Sequence, residues 1–306
     1  MTPSSTDVQP LTDTPPPMPA VRPKPDPVEP AGGPLTVIEN RGGWSVADFG
    51  ELWRFRELFY YFTLRDIKLR YKQTVLGVGW SLFQPLATIL VFVVFIGILG
   101  KAKGDMTQGN YLLFVVAGVL PWTFFATAVT NAGNSLVSNE RLVSKTYFPR
   151  LTLPAANVLA ALFDFSICIA LMAVVMLGFG VAPTWQLVLL PPVLLVLVVL
   201  ASGFGVLLSA LIAAQRDFRF LLAFGVQLWM FATPCIYLPS DAYSEATRNL
   251  LTLNPVYGLI LNFRAAVLGY PTDLYALGYS TVVAFVLLTA SLIYFRRVDR
   301  TLADTI

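Results

Sequence analysis

The chain has 306 residues, of which 56% are apolar and only 13% are charged, and its formal net charge is +3. Soluble globular domains carry about 25% charged residues. This composition therefore excludes a soluble globular protein. Several apolar runs exceed the ~18 residues that span a bilayer, and the sequence therefore predicts an all-α integral membrane protein. Histidine is absent, which removes the commonest general base and metal ligand.

Residues 1–43 form a proline-rich segment, with 11 of the chain's 22 prolines before residue 35. Proline lacks a backbone donor and disfavours helix in the residue before it. Since the segment also has few large apolar side chains, we expect a disordered tail. A proline-rich ligand for a partner domain is the alternative interpretation. The membrane domain then occupies residues 44–306.

Residues 44–63 predict an amphipathic helix rich in aromatic side chains. Its apolar face carries Leu52, Phe55, Phe59 and Phe62, and its polar face carries Glu51, Arg54, Glu57, Tyr61 and Arg65. This pattern is typical of a helix that lies in a membrane interface, and an ordinary soluble helix is the alternative. Next come the basic residues Arg65, Lys68, Arg70 and Lys72. We expect them to hold the inner end of the first span at the cytoplasmic surface.

Six apolar segments predict transmembrane helices, near residues 78–100, 111–133, 155–181, 185–213, 220–238 and 273–295. The fourth has Pro191 and Pro192 near its start, which predicts a kink or an interfacial turn there. With the N-terminus in the cytoplasm, 17 of the 21 basic residues fall on the inner side. Such a bias follows the positive-inside rule, so we expect both termini to be cytoplasmic.

Two predicted spans carry a face of amide and aromatic side chains. The first has Ser81, Gln84, Thr88, Phe92 and Phe95, and the fifth has Phe224, Gln227 and Phe231. Such faces suit the apolar rings and hydroxyl edges of a sugar, so we favour a channel lining for both, with ordinary helix packing as the alternative. In the second span, Thr123, Thr127, Thr130 and Asn134 share a face, and there helix packing is favoured.

Motifs for nucleotide binding and catalysis are missing from the sequence. The pair Gly100-Lys101 is followed by alanine, and no glycine stands five positions before it, so the phosphate-binding loop pattern fails. Asp164 is an acid in the interior of a predicted span, and one carboxylate without a histidine or a second acid is a poor active site. A hydrogen bond to a neighbouring helix and a place in a translocation path both stay open for it. We expect no enzymatic activity, no metal and no cofactor in this chain.

Two loops are too long, and too rich in apolar and charged side chains, to be simple turns. The inner loop at 134–154 contains Glu140, Arg141, Leu142, Lys145, Tyr147 and Phe148. It predicts a short cytoplasmic helix that docks on a partner, with a solvated loop as the alternative. The outer segment at 239–271 has apolar runs around Leu251 and Ile260 that are too short to span, which predicts a re-entrant or interfacial hairpin. Arg264 in this segment would reach lipid head groups or an anionic substrate.

Three stretches resemble one family: "RDIKLRYKQTVLGVGWSLFQPL", "NERLVSKTYFPRLTLPAANVL" and "LNPVYGLILNFRAAVLG". They are similar to the permease subunits of type-2 ABC exporters for surface polysaccharides, which move O antigen, teichoic acid, capsule or cell-wall galactan. The resemblance covers about residues 48–300 and implies a homodimer of six-span subunits in the bacterial inner membrane. It also implies two copies of a separate ATPase, which hold the ATP and magnesium, and a lipid-linked glycan as substrate.

The resemblance assigns roles to particular segments. Residues 48–63 match the interface helix, and the basic set Arg54, Arg65, Lys68, Arg70 and Lys72 would lie where a lipid-linked anion gains access. Residues 138–150 match the coupling helix that sits in a cleft of the ATPase. Residues 214–219, with Arg216 and Asp217, match a second inner contact. Residues 240–269, with Asn254, Tyr257 and Arg264, match an outer gate hairpin, and the first and fifth spans match the channel wall.

Three other functions are alternatives to polysaccharide export. A type-2 permease for a drug or small lipid is the runner-up, and the aromatic faces and the outer hairpin argue against it. A membrane-bound glycosyl or acyl transferase conflicts with the missing histidine and the sparse intramembrane acids. A receptor or scaffold without transport is the third. We expect no nucleic-acid partner, and the proline-rich tail departs from the short N-terminus that is usual in the family.

Overall fold

The structure of the protein is a computed structural model that describes residues 55–72, 79–99, 108–146, 148–182, 184–236 and 250–305. Regular structure within these ranges is helical. Four segments of the described chain are long and apolar enough to cross a membrane, namely Asn110–Ser138, Thr152–Gly178, Trp185–Ala214 and Leu274–Asp299. The predicted class, a multi-pass helical membrane protein, is therefore confirmed.

The helices are numbered here in chain order. They are α1 (Arg56–Tyr71), α2 (Gly79–Leu99), α3 (Gln108–Ser138), α4 (Glu140–Lys145), α5 (Thr152–Gly178), α6 (Leu190–Ala214), α7 (Phe218–Ala232), α8 (Pro255–Leu268) and α9 (Leu274–Thr305). A 3₁₀ turn over Trp185–Leu189 leads into α6, whose first turn contains Pro191 and Pro192. The irregular start that the two prolines predicted for this segment is therefore a 3₁₀ turn directly before them.

The core is centred on α3, which packs against α5, α6 and α8. Val115, Val119, Phe125 and Ala128 are all fully buried although they point to different sides of the helix. A helix that is apolar all round is typically enclosed by other helices. Among the described helices, α9 and α6 make the most extensive contact. One end each of α1, α3, α5, α6 and α9 shares a second buried cluster around Phe62, Phe148 and Phe295.

Helix α1 runs eight residues beyond the predicted end at residue 63. Its buried side is the predicted one, because Phe62 is buried while Glu57 and Tyr61 are exposed. Acidic Glu57 lies in the first turn, and basic Lys68 and Arg70 lie in the last turn. That order of charges stabilises the helix dipole, so the charged stretch extends the helix rather than ending it. Residues 44–54, and the tail before them, lie outside the described residues.

Helix α7 is shorter than the fifth span that the sequence predicted over 220–238. It ends at Ala232, and the backbone of Thr233 is extended, with φ −105° and ψ 126°. The cause is Pro234, because a proline forces the residue before it out of the helical region. At 1.5 Å per residue, the 15 residues of α7 reach about 22 Å, less than the ~30 Å hydrocarbon core.

The two predicted short helices of the loops are found only in part. Helix α4 covers six residues of the predicted 138–150, and Thr146 after it is extended. Helix α8 contains the apolar run around Ile260 and is buried along most of its length. It ends at Gly269, whose φ of 76° lies in the left-handed region that glycine adopts without strain. The predicted hairpin also needs residues 237–249, which lie outside the described residues.

Close helix crossings depend on small side chains. A Cβ built on Gly205 of α6 would lie 2.6 Å from the Cβ of Ala132 on α3. A Cβ on Gly203 would lie 3.1 Å from the backbone nitrogen of Leu288 on α9. Small residues let helix backbones approach in membranes, where packing replaces the hydrophobic effect between helices.

The substitution Gly205→Ala should therefore lower the thermal unfolding temperature of the detergent-solubilised chain. Its methyl group overpacks the crossing with α3, and overpacking costs about 1–3 kcal/mol. Gly225→Ala on α7 is the matched control, because nothing lies within 4 Å of a Cβ built there. Equal shifts in the two variants would contradict the close-crossing argument.

Candidate functional site

The last turn of α1 is bound to the middle of α5. The guanidinium of Arg70 and the hydroxyl of Tyr71 both donate to the carboxylate of Asp164. The side chains of Arg70 and Asp164 are only 25% and 18% exposed. Of the two roles left open for Asp164, this contact is the hydrogen bond to a neighbouring helix. An acid inside a span is costly unless it is paired, and Arg70 supplies the partner.

A second basic residue of α1 is held by the junction between α3 and α4. Arg65 donates to the side-chain oxygen of Asn139 at 3.1 Å and to Asp66 at 2.9 Å. Its guanidinium also lies 4.9 Å from the ring centre of Phe62. Of the predicted access residues, Lys68 and Lys72 are exposed, and Arg54 lies outside the described residues. Of the predicted access residues on α1, the two arginines therefore bind other helices or loops, and the two lysines are exposed.

The two segments that the resemblance matches to contacts with an ATPase lie side by side. Glu140 at the start of α4 is 3.8 Å from the guanidinium of Arg216 in the turn before α7, and the two side chains are 65% and 81% exposed. Arg141 and Lys145 on α4 and Asp217 in the turn are also exposed. Together they form one charged surface at one end of the helices. An ion pair this exposed adds little stability. What it shows is that α4 and the turn before α7 are adjacent.

Residues flanking α4 hold it to the helices beneath. Leu142 is half-buried, and Phe148 is buried against Phe62 of α1, with ring centroids 5.5 Å apart. Arg150 donates to the carboxylate of Asp299 on α9 at 2.9 Å. Tyr147, another predicted contact, lies outside the described residues. The charged side of α4 is therefore presented outward from an apolar base.

The predicted channel faces are described only for part of their length. Phe224 and Phe231 on α7 are 62% and 61% exposed, and Gln227 between them is exposed as well. Thr88 on α2 is half-buried. The described side chains do not include Ser81, Gln84, Phe92 and Phe95. The α7 face thus lies on the surface of this single chain, where a lumen, a second copy or lipid would cover it.

The hydroxyl and amide side chains on one face of α3 were expected to form hydrogen bonds to other helices. The described bonds of this face lie within α3 instead. Thr123 donates to the carbonyl of Val119 at 2.8 Å, and Asn134 donates to the carbonyl of Thr130 at 2.8 Å. Both bonds stay within α3. The side-chain oxygen of Asn134 is buried and has no hydrogen-bond partner.

Arg264 occupies the interior of the protein and is 1% exposed. Its guanidinium donates to the carbonyl oxygens of Phe114 at 3.2 Å and Pro234 at 3.0 Å, and also to that of Cys235. It stacks on the ring of Phe114 with 3.7 Å to the ring centre. The expectation that it reaches lipid head groups is therefore wrong for this structure. Arg264 instead satisfies carbonyls of the segment that follows α7 and one carbonyl of α3.

The other predicted gate residues also belong to the α7–α8 connection. Asn254 caps α8 by accepting from the nitrogen of Val256 at 3.1 Å. It also accepts from the indole of Trp229 at 3.1 Å and donates to the hydroxyl of Thr233 at 2.8 Å. Tyr257 is half-buried on the same helix. These bonds fix the start of α8 to the end of α7.

Gly118 on α3 is a residue that the sequence analysis missed. A Cβ there would lie 2.1 Å from a guanidinium nitrogen of Arg264 and 2.1 Å from the carbonyl oxygen of Cys235. Only glycine leaves this space open. A single glycine in an apolar run looks like any other in the sequence, so no local pattern identifies it. Among the described residues, no three acidic, cysteine or histidine side chains cluster to hold a metal ion.

Apolar helices long enough to span a bilayer, together with charges that are paired between distant parts of the chain, define a multi-pass membrane protein. The chain belongs to the ABC-2 type transporter family, whose family model matches residues 57–268. The matched region contains α1 through α8 apart from the first residue of α1.

Named relatives fall within polysaccharide transport. The chain is 31% identical over 216 residues to the O-antigen export system permease protein RfbA of Myxococcus xanthus, covering 70% of this chain and 82% of the relative. It is 29% identical over 209 residues to the protein of that name in Klebsiella pneumoniae, covering 68% and 79%. The polysialic acid transport protein KpsM of Escherichia coli is 23% identical over 239 residues, covering 76% and 90%.

Replacement of Arg264 by glutamine should lower the unfolding temperature of the solubilised chain strongly. It leaves the carbonyls of Phe114, Pro234 and Cys235 without their charged donor, and each orphaned buried acceptor costs about 1–3 kcal/mol. The matched control is Arg219→Gln, an exposed position on the inner side, where the change should be small. Similar losses in the two variants would contradict the capping role of Arg264.

Proposed function

We propose that this chain is the membrane subunit of an ATP-driven exporter, which moves a lipid-linked polysaccharide from the cytoplasmic side across the bacterial inner membrane. The observation that carries the proposal is the similarity to O-antigen and polysialic acid transport proteins across at least two thirds of each relative. The names of these relatives favour a glycan over the drug or small lipid of the alternative.

A six-span subunit fits the described helices. Four segments meet the length and apolarity of a span. Helix α2 has 21 residues, about 31 Å, and supplies the first span. Helix α7, continued by the extended residues to Ile236, supplies the fifth. Both termini are then cytoplasmic, and the segment with α8 closes the outer side as a gate.

The partner in this proposal is a separate ABC ATPase. The charged surface of α4 and the 214–219 turn is its docking site, since both segments lie together and project acidic and basic side chains outward. ATP and magnesium are held in that partner. Two copies of this chain pair with two ATPases, and the exposed aromatic face of α7 meets its symmetry mate around the path of the glycan.

Deletion of the gene should test the function in cells. Surface polysaccharide should disappear while lipid-linked glycan accumulates on the cytoplasmic side of the membrane, measured by immunoblot and by extraction of the lipid fraction. Plasmid-borne wild type should restore export. Normal surface glycan in the deletion strain, together with a changed drug sensitivity, would favour the alternative substrate.

The double reversal Arg141→Glu, Lys145→Glu should weaken co-purification of the ATPase or uncouple ATP hydrolysis from export. Both side chains are exposed on α4, so the variant should fold, and reversed charges meet the partner unfavourably. The charge-keeping double variant Arg141→Lys, Lys145→Arg is the control and should assemble normally. Full export by the reversed variant would remove α4 as the docking element.

Single cysteines at Phe224, Gln227 and Phe231 test the channel face of α7. In a background without Cys168 and Cys235, a water-borne thiol reagent should label all three, because a glycan path must be hydrated. The exposed apolar residue Val282 on α9 is the control position and should stay unlabelled in lipid. Labelling no faster than at Val282, with and without ATP turnover, would mean that this face contacts lipid or protein instead.

A further inference from the structure

The corner between α4 and α5, residues 148–152, is a closed turn. Phe148 is buried, and the backbone nitrogen of Thr152 donates to the carbonyl of Pro149 at 2.9 Å. The hydroxyl of Thr152 donates to the same carbonyl. Segments with buried side chains and internal hydrogen bonds open less readily than exposed loops. The corner therefore behaves as one block that is joined to the start of α5.

Helix α9 holds this corner with a carboxylate and an aromatic ring. Nη1 of Arg150 donates to Oδ1 of Asp299 at 2.9 Å and to the carbonyl oxygen of Asp299 at 3.3 Å. Phe295 lies one turn earlier on α9, is buried, and belongs to the same apolar cluster as Phe148. Residues four apart lie on one face of a helix, so a single face of α9 makes both contacts.

Stability does not explain the Arg150–Asp299 pair. The two side chains are 18% and 41% exposed, and an ion pair that is open to water adds little to the free energy of unfolding. Arg150 also stands one residue before Leu151, the N-cap of α5, where an acidic side chain would suit the helix dipole better. The contribution of the pair is geometric, because a guanidinium that binds both a carboxylate and a carbonyl of one residue has a fixed orientation.

The pair completes a route from α4 to the core of the helices. Lys145 ends α4, and the extended residue Thr146 leads from it towards the corner. Helix α9 in turn packs on α6 in the most extensive contact among the described helices. Apolar burial is not directional, so the rings of Phe148 and Phe295 alone would let the corner slide on α9. A directional hydrogen bond fixes its position.

We infer that Arg150 and Asp299 are positioning residues for export: they lock the corner to α9, so that a displacement of α4 by the ATPase is passed to α9 and α6. The inference rests on the proposed function and adds a route of transmission to its docking surface. Without this lock the corner slides on α9, and ATP is hydrolysed without a matching movement of the core. The lock thus sets how much glycan is exported per ATP, and it does not set whether the ATPase binds.

A charge swap tests the lock in the complete transporter. Asp299→Arg places two guanidinium groups together, so export per ATP hydrolysed should fall about tenfold, in the range of measured couplings between neighbouring side chains. The double variant Arg150→Asp, Asp299→Arg restores an attractive pair and should return export per ATP to within about twofold of wild type. The measurements are surface polysaccharide in the complemented deletion strain and the ATPase rate of the purified complex. Co-purification of the ATPase should be unchanged in both variants.

The milder variant Asp299→Asn covers the case in which Asp299→Arg fails to assemble. It removes the charge attraction without adding repulsion, and export per ATP should fall about threefold. The matched control is Asp273→Asn, which neutralises an acid at the opposite end of α9 and keeps an oxygen to accept from the nitrogen of Ala276. Its export per ATP should equal that of wild type.

Three results would overturn the lock and leave the proposed function standing. The first is wild-type export per ATP in the Asp299 variants. The second is a lower yield of assembled complex with normal export per ATP, which a purely structural role of the pair predicts. The third is a double variant that stays as impaired as Asp299→Arg. The proposed function fails separately, if plasmid-borne wild type does not restore surface polysaccharide to the deletion strain.

Distances between two spin labels test the joint movement of α4 and α9. The labels are attached to cysteines at Ser144 on α4 and Ile293 on α9, both exposed positions, in a background without Cys168 and Cys235. With the lock intact, a non-hydrolysable ATP analogue should leave the distance between the labels unchanged, whereas in Asp299→Arg the analogue should change it. A distance that changes in the wild-type background, or that stays fixed in Asp299→Arg, would contradict the transmission through α9.

Discussion

Backbone hydrogen bonding in a bilayer is the constraint on which this fold depends. Lipid offers no partner for a free carbonyl, so any break in a spanning helix must be repaired by the protein. The chain breaks α7 at Thr233 because of Pro234, and Arg264 from α8 repairs the break with donors to Pro234 and Cys235. Gly118 supplies the space. One buried charge therefore fixes α3, α7 and α8 to one another.

The charged end of the molecule, around α4, solves a different problem by pairing. Its charges must stay near the surface without leaving an uncompensated ion against lipid. Arg70 with Asp164 and Arg150 with Asp299 each join helices that are distant in the sequence. The Glu140–Arg216 pair is instead exposed, so water reaches it. The two partly buried pairs fasten distant parts of the chain to each other, and the exposed pair adds little stability.

Local patterns in the sequence were enough for the helices but not for their partners. Apolar runs predicted the four segments that are long enough to span, and the aromatic face around Phe62 predicted which side of α1 is buried. The Thr233–Pro234 signal was present, yet the apolar run continues past it and masked the end of α7. Asp164 and Arg70 are 94 residues apart, and Arg264 and Phe114 are 150 apart. No periodicity encodes such contacts, because packing of whole helices brings them together.

Contacts at both ends of α4 tie its charged surface to α1. Asn139, just before α4, accepts from Arg65, and Phe148, just after it, packs on Phe62. Interfaces of close-packed side chains shift between discrete arrangements rather than deform continuously. A displacement of α4 must therefore break or carry along the contacts of Arg65 and Phe62. Arg70 lies on the same helix, about one and a half turns from Arg65. A displacement of α4 that moves α1 therefore also strains the Arg70–Asp164 contact.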